Sequence, residues 1–186
     1  EISNYVITTL IATEDERYES HGGVDMRSTI RVLKGVITGS LAGGGSTVSQ
    51  QLAKNLFRMR KESKFRGAVY KTPFRPFVIK AKEWITAIRL ERAYTKQEII
   101  TMYLNTVNFG IKAVGINEGA KTYFNKKASQ LTLNEAATLI GTLKANYKYD
   151  PQYNPEAAIK RRKVVLGQIL RFCELNKLER DTYRNL

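Results

Sequence analysis

Glu14, Asp15 and Glu16 stand directly before Arg17 and Tyr18, and His21, Gly22, Gly23 and Asp25 follow within a few residues. Acids, a base and a glycine turn in so short a stretch can make an acid/base site, because a carboxylate held beside apolar Ile11 and Ala12 is placed to take a proton from a hydroxyl. A solvated acidic helix end is the plainer account of such a run taken alone. The second cluster runs Gly44-Gly45-Ser46-Thr47-Val48-Ser49-Gln50-Gln51-Leu52-Ala53-Lys54-Asn55. Glycines opening a helix rich in hydroxyls and amides expose backbone N–H groups to an anion or a hydroxyl-bearing ligand. The lysine placement of a phosphate-binding P-loop is absent, and a linker followed by a capped helix explains the same residues without a ligand. The third group is Lys80, Lys82 and Glu83, where cations and a carboxylate share one helical segment.

Composition limits what else the chain can do. Its 186 residues suit one domain, and 42% hydrophobic with 26% charged residues is ordinary for a folded globular chain. Cys173 is the only cysteine and His21 the only histidine, which removes disulfide frameworks and Cys/His zinc sites and leaves carboxylates as the leading acid/base groups. A formal net charge of +14 calls for an anionic partner: nucleic acid, an anionic membrane surface, or a phosphate-bearing substrate. Val6 to Ala12 is too short to span a bilayer, and Val36 to Ala53 is too rich in Gly, Ser, Thr and Gln. The chain starts without Met and enters a motif almost at once, so it reads as a piece of a longer polypeptide whose membrane anchor lies elsewhere.

The elements that must carry these groups are helical. Asp25 predicts a cap for a helix whose apolar positions Met26, Ile30, Leu33 and Ile37 form a buried stripe, closed by Gly43, Gly44 and Gly45. Ser49 to Phe57 reads as a second helix. Phe77, Ala81, Trp84, Ile85 and Ile88 form an apolar stripe on a third, with Lys80 and Glu83 on its flank, where they can line a cleft. Thr95 with Glu98, Thr132 with Glu135, and Asn176 with Glu179 have capping-box spacing, and Asn154-Pro155 marks another helix start. Short strands are expected only near Val107 to Val114. Between the helices, Arg58, Arg60, Lys61, Lys64, Arg66, Lys71 and Arg75 alternate with Phe65, Tyr70 and Phe74, and Gly67, Pro73 and Pro76 break any long helix. This surface excursion suits an anionic, partly apolar surface such as a membrane interface.

In this order the clusters resemble the motifs of the family 51 peptidoglycan glycosyltransferases. Glu14-Asp15-x-Arg17-Tyr18-x-x-His21-x-Gly23-x-Asp25 is similar to the first motif, and Gly44-Gly45-Ser46-Thr47-x-x-Gln50-Gln51-x-x-Lys54-Asn55 to the second, which is highly specific. Lys80-x-x-Glu83 resembles the third, Lys96-x-Glu98-Ile99-Ile100-x-x-Tyr103-Leu104-Asn105 the fourth, and Gly115-Ile116 through Ala120-x-x-Tyr123-Phe124 the fifth. The sequence departs from the pattern in three places: Ile79 stands where the third motif usually has Arg, Gly119 replaces a usual Ala, and the link from Asn55 to Lys80 is long. Arg75 or Arg66 is the substitute for the missing cation.

The resemblance implies a mainly α fold: a lysozyme-like helical lobe and a smaller, flexible, membrane-facing lobe that includes residues 56–82, within one glycosyltransferase domain over 1–186. It implies that lipid II, the lipid-linked disaccharide-peptide precursor, and a growing glycan chain are the substrates, joined into β-1,4 glycan with inversion and release of lipid pyrophosphate. Glu14 would be the general base and Glu83 the second essential carboxylate. Lys54 and Lys82 would hold the pyrophosphate with Ser46, Thr47, Gln50 and Gln51, supported by Asp15, Arg17, His21, Asn55, Lys80 and Asn105. No cofactor is required, and Glu83 is the candidate ligand if a divalent ion (Mg2+ or Mn2+) takes part. A moenomycin-type inhibitor and the membrane surface are the other expected partners, at the outer face of the bacterial cytoplasmic membrane, with no nucleic acid.

His21 reads as a hydrogen-bonding brace, Asn105 as a loop holder, Asp15 as a substrate contact, an Arg17 ion pair or a helix cap, and Tyr103, Leu104, Tyr123 and Phe124 as packing. Two other readings compete. A lysozyme-like glycan-cleaving enzyme also uses one Glu in a helical cleft, but has no use for pyrophosphate-binding cations. A nucleic-acid binder explains the basic, aromatic segment but not the Glu14 and Glu83 motifs. The Ser-x-x-Lys and Lys-Thr-Gly signatures of penicillin-binding transpeptidases do not occur in the chain.

Overall fold

The computed structural model describes residues 1–39, 44–57 and 75–175, without the side chains of Leu33, Val36, Ile37, Arg75 and Pro76. The basic and aromatic segment over 58–74, the Asn176–Glu179 capping box, Gly43 and the Leu33 and Ile37 positions lie outside that description. The described chain is mainly helical: α1 Asn4–Glu14, α2 Met26–Thr38, α3 Val48–Leu56, α4 Arg75–Ala93, α5 Lys96–Thr106, α6 Ile116–Phe124, α7 Leu133–Thr142 and α8 Pro155–Leu175. Two short strands, β1 Asn108–Phe109 and β2 Ala113–Val114, pair antiparallel where strands were expected, with Asn108 opposite Val114. The chain separates into two compact units, one made of Glu1–Glu16 with the chain from Leu104 onward, the other of Arg17–Tyr103.

In the first unit, α1, α7 and α8 pack on one another around Ala12, Leu133, Ala137, Val165, Ile169 and Cys173. Local chemistry starts each of these helices. Ser3 caps α1 by accepting from the Tyr5 N–H, and its hydroxyl donates to the Leu131 carbonyl just before α7. Thr132 and Glu135 form the expected reciprocal capping box at α7. Asn154 accepts the first turn of α8 through its carbonyl, ahead of Pro155. Burial pushes the Cys173 thiol up, away from the thiolate form that reacts.

The loop region of this unit is organised by Asp150, which is fully buried. Its carboxylate accepts from the Ile111 N–H (2.8 Å), the Tyr123 hydroxyl (2.7 Å) and the Gln152 N–H (2.9 Å). Tyr123 is thus a hydrogen-bonding residue as well as a packing one, and burial together with this bond holds its phenol protonated well above the ordinary range. Gly110, at φ +75°, sits where any Cβ would strike the Tyr123 hydroxyl and the Asp150 carboxylate. Asp150→Ala leaves three donors without their acceptor and is expected to destabilise the unit by about 3 kcal/mol or more. A denaturant midpoint unchanged from wild type would show that the network does not hold the loops.

In the second unit the helix starts again follow the sequence. Asp25 caps α2 by accepting from Arg27 and Ser28 N–H groups. Burial alone would raise its carboxyl, but the hydrogen bonds from Ser28 and Arg17, with the Arg17 charge, outweigh it and hold the group below the usual carboxylate value. Thr95 and Glu98 cap α5 reciprocally.

The faces differ from expectation. Met26 is 58% and Ile30 48% exposed, so this part of the α2 stripe is not buried. The inward side of α2 is the one through Ser28 and Val32: Ser28 Oγ accepts from Arg17, and the Gly45 backbone lies against Val32. At about 100° per residue, Met26 and Ile30 fall on the far side of the helix from that contact. On α4 the apolar stripe is likewise turned outward, with Phe77 73% and Ile85 53% exposed. Glu83, Ala87 and Leu90 form its buried face, and α3 packs against α4.

Candidate active site

The second unit gathers the glycine-rich and Lys-x-x-Glu residues and the later part of the first motif, from His21 to Gly23, around the start of α3. Thr47 is its N-cap: the hydroxyl oxygen accepts from the Gln50 N–H (3.1 Å), and the hydroxyl itself donates to the Gly23 carbonyl (2.6 Å). Gly23, at φ +96°, brings its backbone so close to Ala87 of α4 that an added Cβ would meet the Ala87 carbonyl at 2.8 Å. His21 braces this turn as expected, with Nδ1 accepting from the Gly23 N–H at 3.2 Å. The loop after Arg17, the start of α3 and the middle of α4 are thereby fixed together.

Lys80 reaches into this junction. Its ammonium donates to Ser46 Oγ (2.8 Å), Gln50 Oε1 (3.2 Å) and Glu83 Oε2 (3.0 Å). Glu83 is 6% exposed, so its charge is held away from water and answered by Lys80. Gln50 is also buried, and its Nε2 has no hydrogen-bond partner among the described residues. The result is a cation set among hydroxyl and amide groups at a helix N-terminus, an arrangement that favours an anionic oxygen.

Lys80, read from the sequence as support, occupies the cluster. Lys82 is exposed and lies about 200° around α4 from Lys80. Lys54 and Asn55 are half-buried on α3. Gln51 donates to the Ser46 carbonyl at 3.5 Å and accepts from the Tyr103 hydroxyl at 2.9 Å, which gives buried Tyr103 a polar role beside its packing one. Ile79, at the position of the usual Arg, is half-buried, while Arg66 and the Arg75 side chain lie outside the described residues.

Arg17 pairs with Asp25 at 2.6 Å and also donates to Ser28, so its guanidinium supports the α2 cap. In the first unit, half-buried Glu14 is the last residue of α1, and buried Asp15 is its C-cap, donating its N–H to the Ile11 carbonyl. Asn105 is an exposed α5 residue whose carbonyl lies against Gly115 at the head of α6. No group of three or more His, Cys, Asp or Glu among the described residues comes together to hold a metal ion, and Glu83 is engaged by Lys80.

Sequence reasoning missed a second charged network. Glu91 accepts from Ser49 Oγ at 2.5 Å and from Lys96 Nζ at both oxygens, and Lys96 also donates to the His21 carbonyl at 2.6 Å. Lys96 stands in the fourth motif, but nothing in the sequence pairs it with Glu91 or Ser49.

Residues 1–170 match the family model described as Transglycosylase. The chain is similar to penicillin-binding protein 1A of Aquifex aeolicus, 38% identical over 170 residues that make up 91% of this chain and 22% of that protein. It is 38% identical over 166 residues to penicillin-binding protein 1A of Escherichia coli, covering 89% of this chain and 18% of the relative. Penicillin-binding protein 1F of Bacillus subtilis is 38% identical over 170 residues, with 91% and 22% covered. The chain thus spans about a fifth of the length of the curated relatives it matches. Its helical architecture fits the lysozyme-like fold implied by the motifs. With the motifs in order and the family model covering nearly the whole chain, the chain belongs to the transglycosylase family, the peptidoglycan glycosyltransferases.

Proposed function

We propose that this domain joins a growing glycan chain, carried on a lipid pyrophosphate, to the disaccharide of lipid II. Glu14 takes the proton from the acceptor 4-hydroxyl as its oxygen attacks the donor anomeric carbon. The bond from that carbon to the pyrophosphate oxygen breaks, and lipid pyrophosphate leaves from the opposite face, giving a β-1,4 linkage. The observation that supports this reading best is the Lys80 cluster. A departing pyrophosphate needs fixed positive charge and donors, and Lys80, Ser46 and the first turn of α3 offer them together. Lys54, Gln50 and Gln51 complete the donor set, and Glu83 holds Lys80 in place. No step is assigned to a metal.

The substrates keep their lipid tails in the bilayer, so we place the domain at the outer face of the cytoplasmic membrane. No helix among the described residues is long and apolar enough to cross a membrane. The exposed Phe77, Ile85 and Ile88 of α4 instead offer a surface that can enter the interface, and the basic segment over 58–74 precedes that helix in the sequence. Replacing all three by Ser is expected to weaken binding to anionic vesicles by about tenfold or more, and changing Arg58, Lys61 and Lys64 to Gln is expected to weaken it in a salt-dependent way. Vesicle binding untouched by both changes would remove the membrane from this account.

The competing chemistry is cleavage of existing glycan. Incubation with purified cell wall and, separately, with lipid II separates them: polymer from lipid II supports the proposal, whereas soluble fragments from cell wall would replace it with a lytic enzyme.

A further inference from the structure

We propose that Lys96 and Glu91 are positioning residues that set the geometry of the Lys80 cluster, acting through Ser49 and the His21 carbonyl. The inference rests on the cluster being the pyrophosphate site. Lys96 uses its ammonium in three directions: to both oxygens of Glu91, at 3.0 and 2.9 Å, and to the His21 carbonyl at 2.6 Å. It also lies over the Tyr18 ring, 4.4 Å from the centroid, while the Tyr18 hydroxyl donates to the Lys96 carbonyl at 2.9 Å. The Glu91 side chain is 7% exposed and Tyr18 is fully buried, so this is an internal network and not a surface pair.

Its reach explains the role. Through Glu91 it grips Ser49 in the first turn of α3, and through the His21 carbonyl it grips the turn whose Gly23 carbonyl accepts the Thr47 cap. The start of α3 is therefore tied down at Thr47 and at Ser49, on either side of Val48. The same turn presents Ser46 and Gln50, two of the three acceptors that hold Lys80. Neither Lys96 nor Glu91 bonds to Lys80 in the structure, so any effect they have on it passes through α3 and the Gly23 turn. Because misplacement of a catalytic group by about 1 Å costs on the order of a hundredfold in rate, the network matters for chemistry beyond the stability it adds.

The test is a double-mutant cycle on lipid II polymerisation, with kcat normalised to folded protein by circular dichroism. Lys96→Met is expected to lower kcat by about a hundredfold with KM changed much less, and Ser49→Ala by about fivefold. In a Lys80→Ala background the same changes are expected to cost under about threefold, since the group they position is gone. Full, multiplicative losses in that background would overturn the positioning role while leaving the pyrophosphate site intact. A silent Lys80→Ala would overturn both. If Lys96→Met does not fold, the cycle between Ser49→Ala and Lys80→Ala decides by the same criterion.

Discussion

Glu14→Gln is expected to lower polymerisation by about 10²- to 10⁴-fold, the contribution of a positioned general base, while leaving folding and lipid II binding close to wild type. The change removes one proton-accepting charge and keeps the shape of the side chain. Glu14 closes α1, whose fold is fixed elsewhere: by the Ser3 cap and by Val6, Leu10 and Ala12 in the core. A loss of turnover without a loss of thermal stability isolates the chemical role. Turnover within about tenfold of wild type would be too high for the loss of a general base and would move the role to another carboxylate.

The second large effect is expected at Lys80. Lys80→Ala removes the cation that Ser46, Gln50 and Glu83 hold in place, and leaves Glu83 a buried carboxylate with its partner gone. Removing a preorganised group that stabilises developing charge costs about 10²- to 10³-fold in kcat, whereas Lys82→Ala, on the exposed side of α4, is expected to cost less than about fivefold. A donor-site inhibitor of the moenomycin type is expected to bind, and its binding gives a readout without turnover. Its affinity is expected to fall about tenfold to a hundredfold with Lys80→Ala or Lys54→Ala. A larger loss with Lys82→Ala than with Lys80→Ala would return the pyrophosphate to the opposite side of the helix.

What was legible in the sequence depends on how far apart in the chain the bonded groups lie. Helix starts are local events, and Asp25, Thr95 with Glu98, Thr132 with Glu135, and Asn154-Pro155 all mark them through groups that bond within one turn. Which face of a helix turns inward is decided by distant partners. Met26 and Ile30 are apolar at helical spacing, yet contacts through Ser28 and Val32 turn them outward. The three-residue step from Lys80 to Glu83 places both on one side of α4, which helical geometry alone announces. The two-residue step to Lys82 rules out the same side just as plainly. No such arithmetic reaches the Glu91 network, whose bonds join residues 42 and 75 positions apart. Motif order, by contrast, carried the family assignment without any of these contacts.

The most direct measurement of the account follows the leaving group. With purified lipid II as sole substrate, each new glycosidic bond should be β-linked and accompanied by one released lipid pyrophosphate, and both should disappear together in Glu14→Gln and Lys80→Ala. Bond formation without stoichiometric lipid pyrophosphate, or α-linked product, would contradict the mechanism.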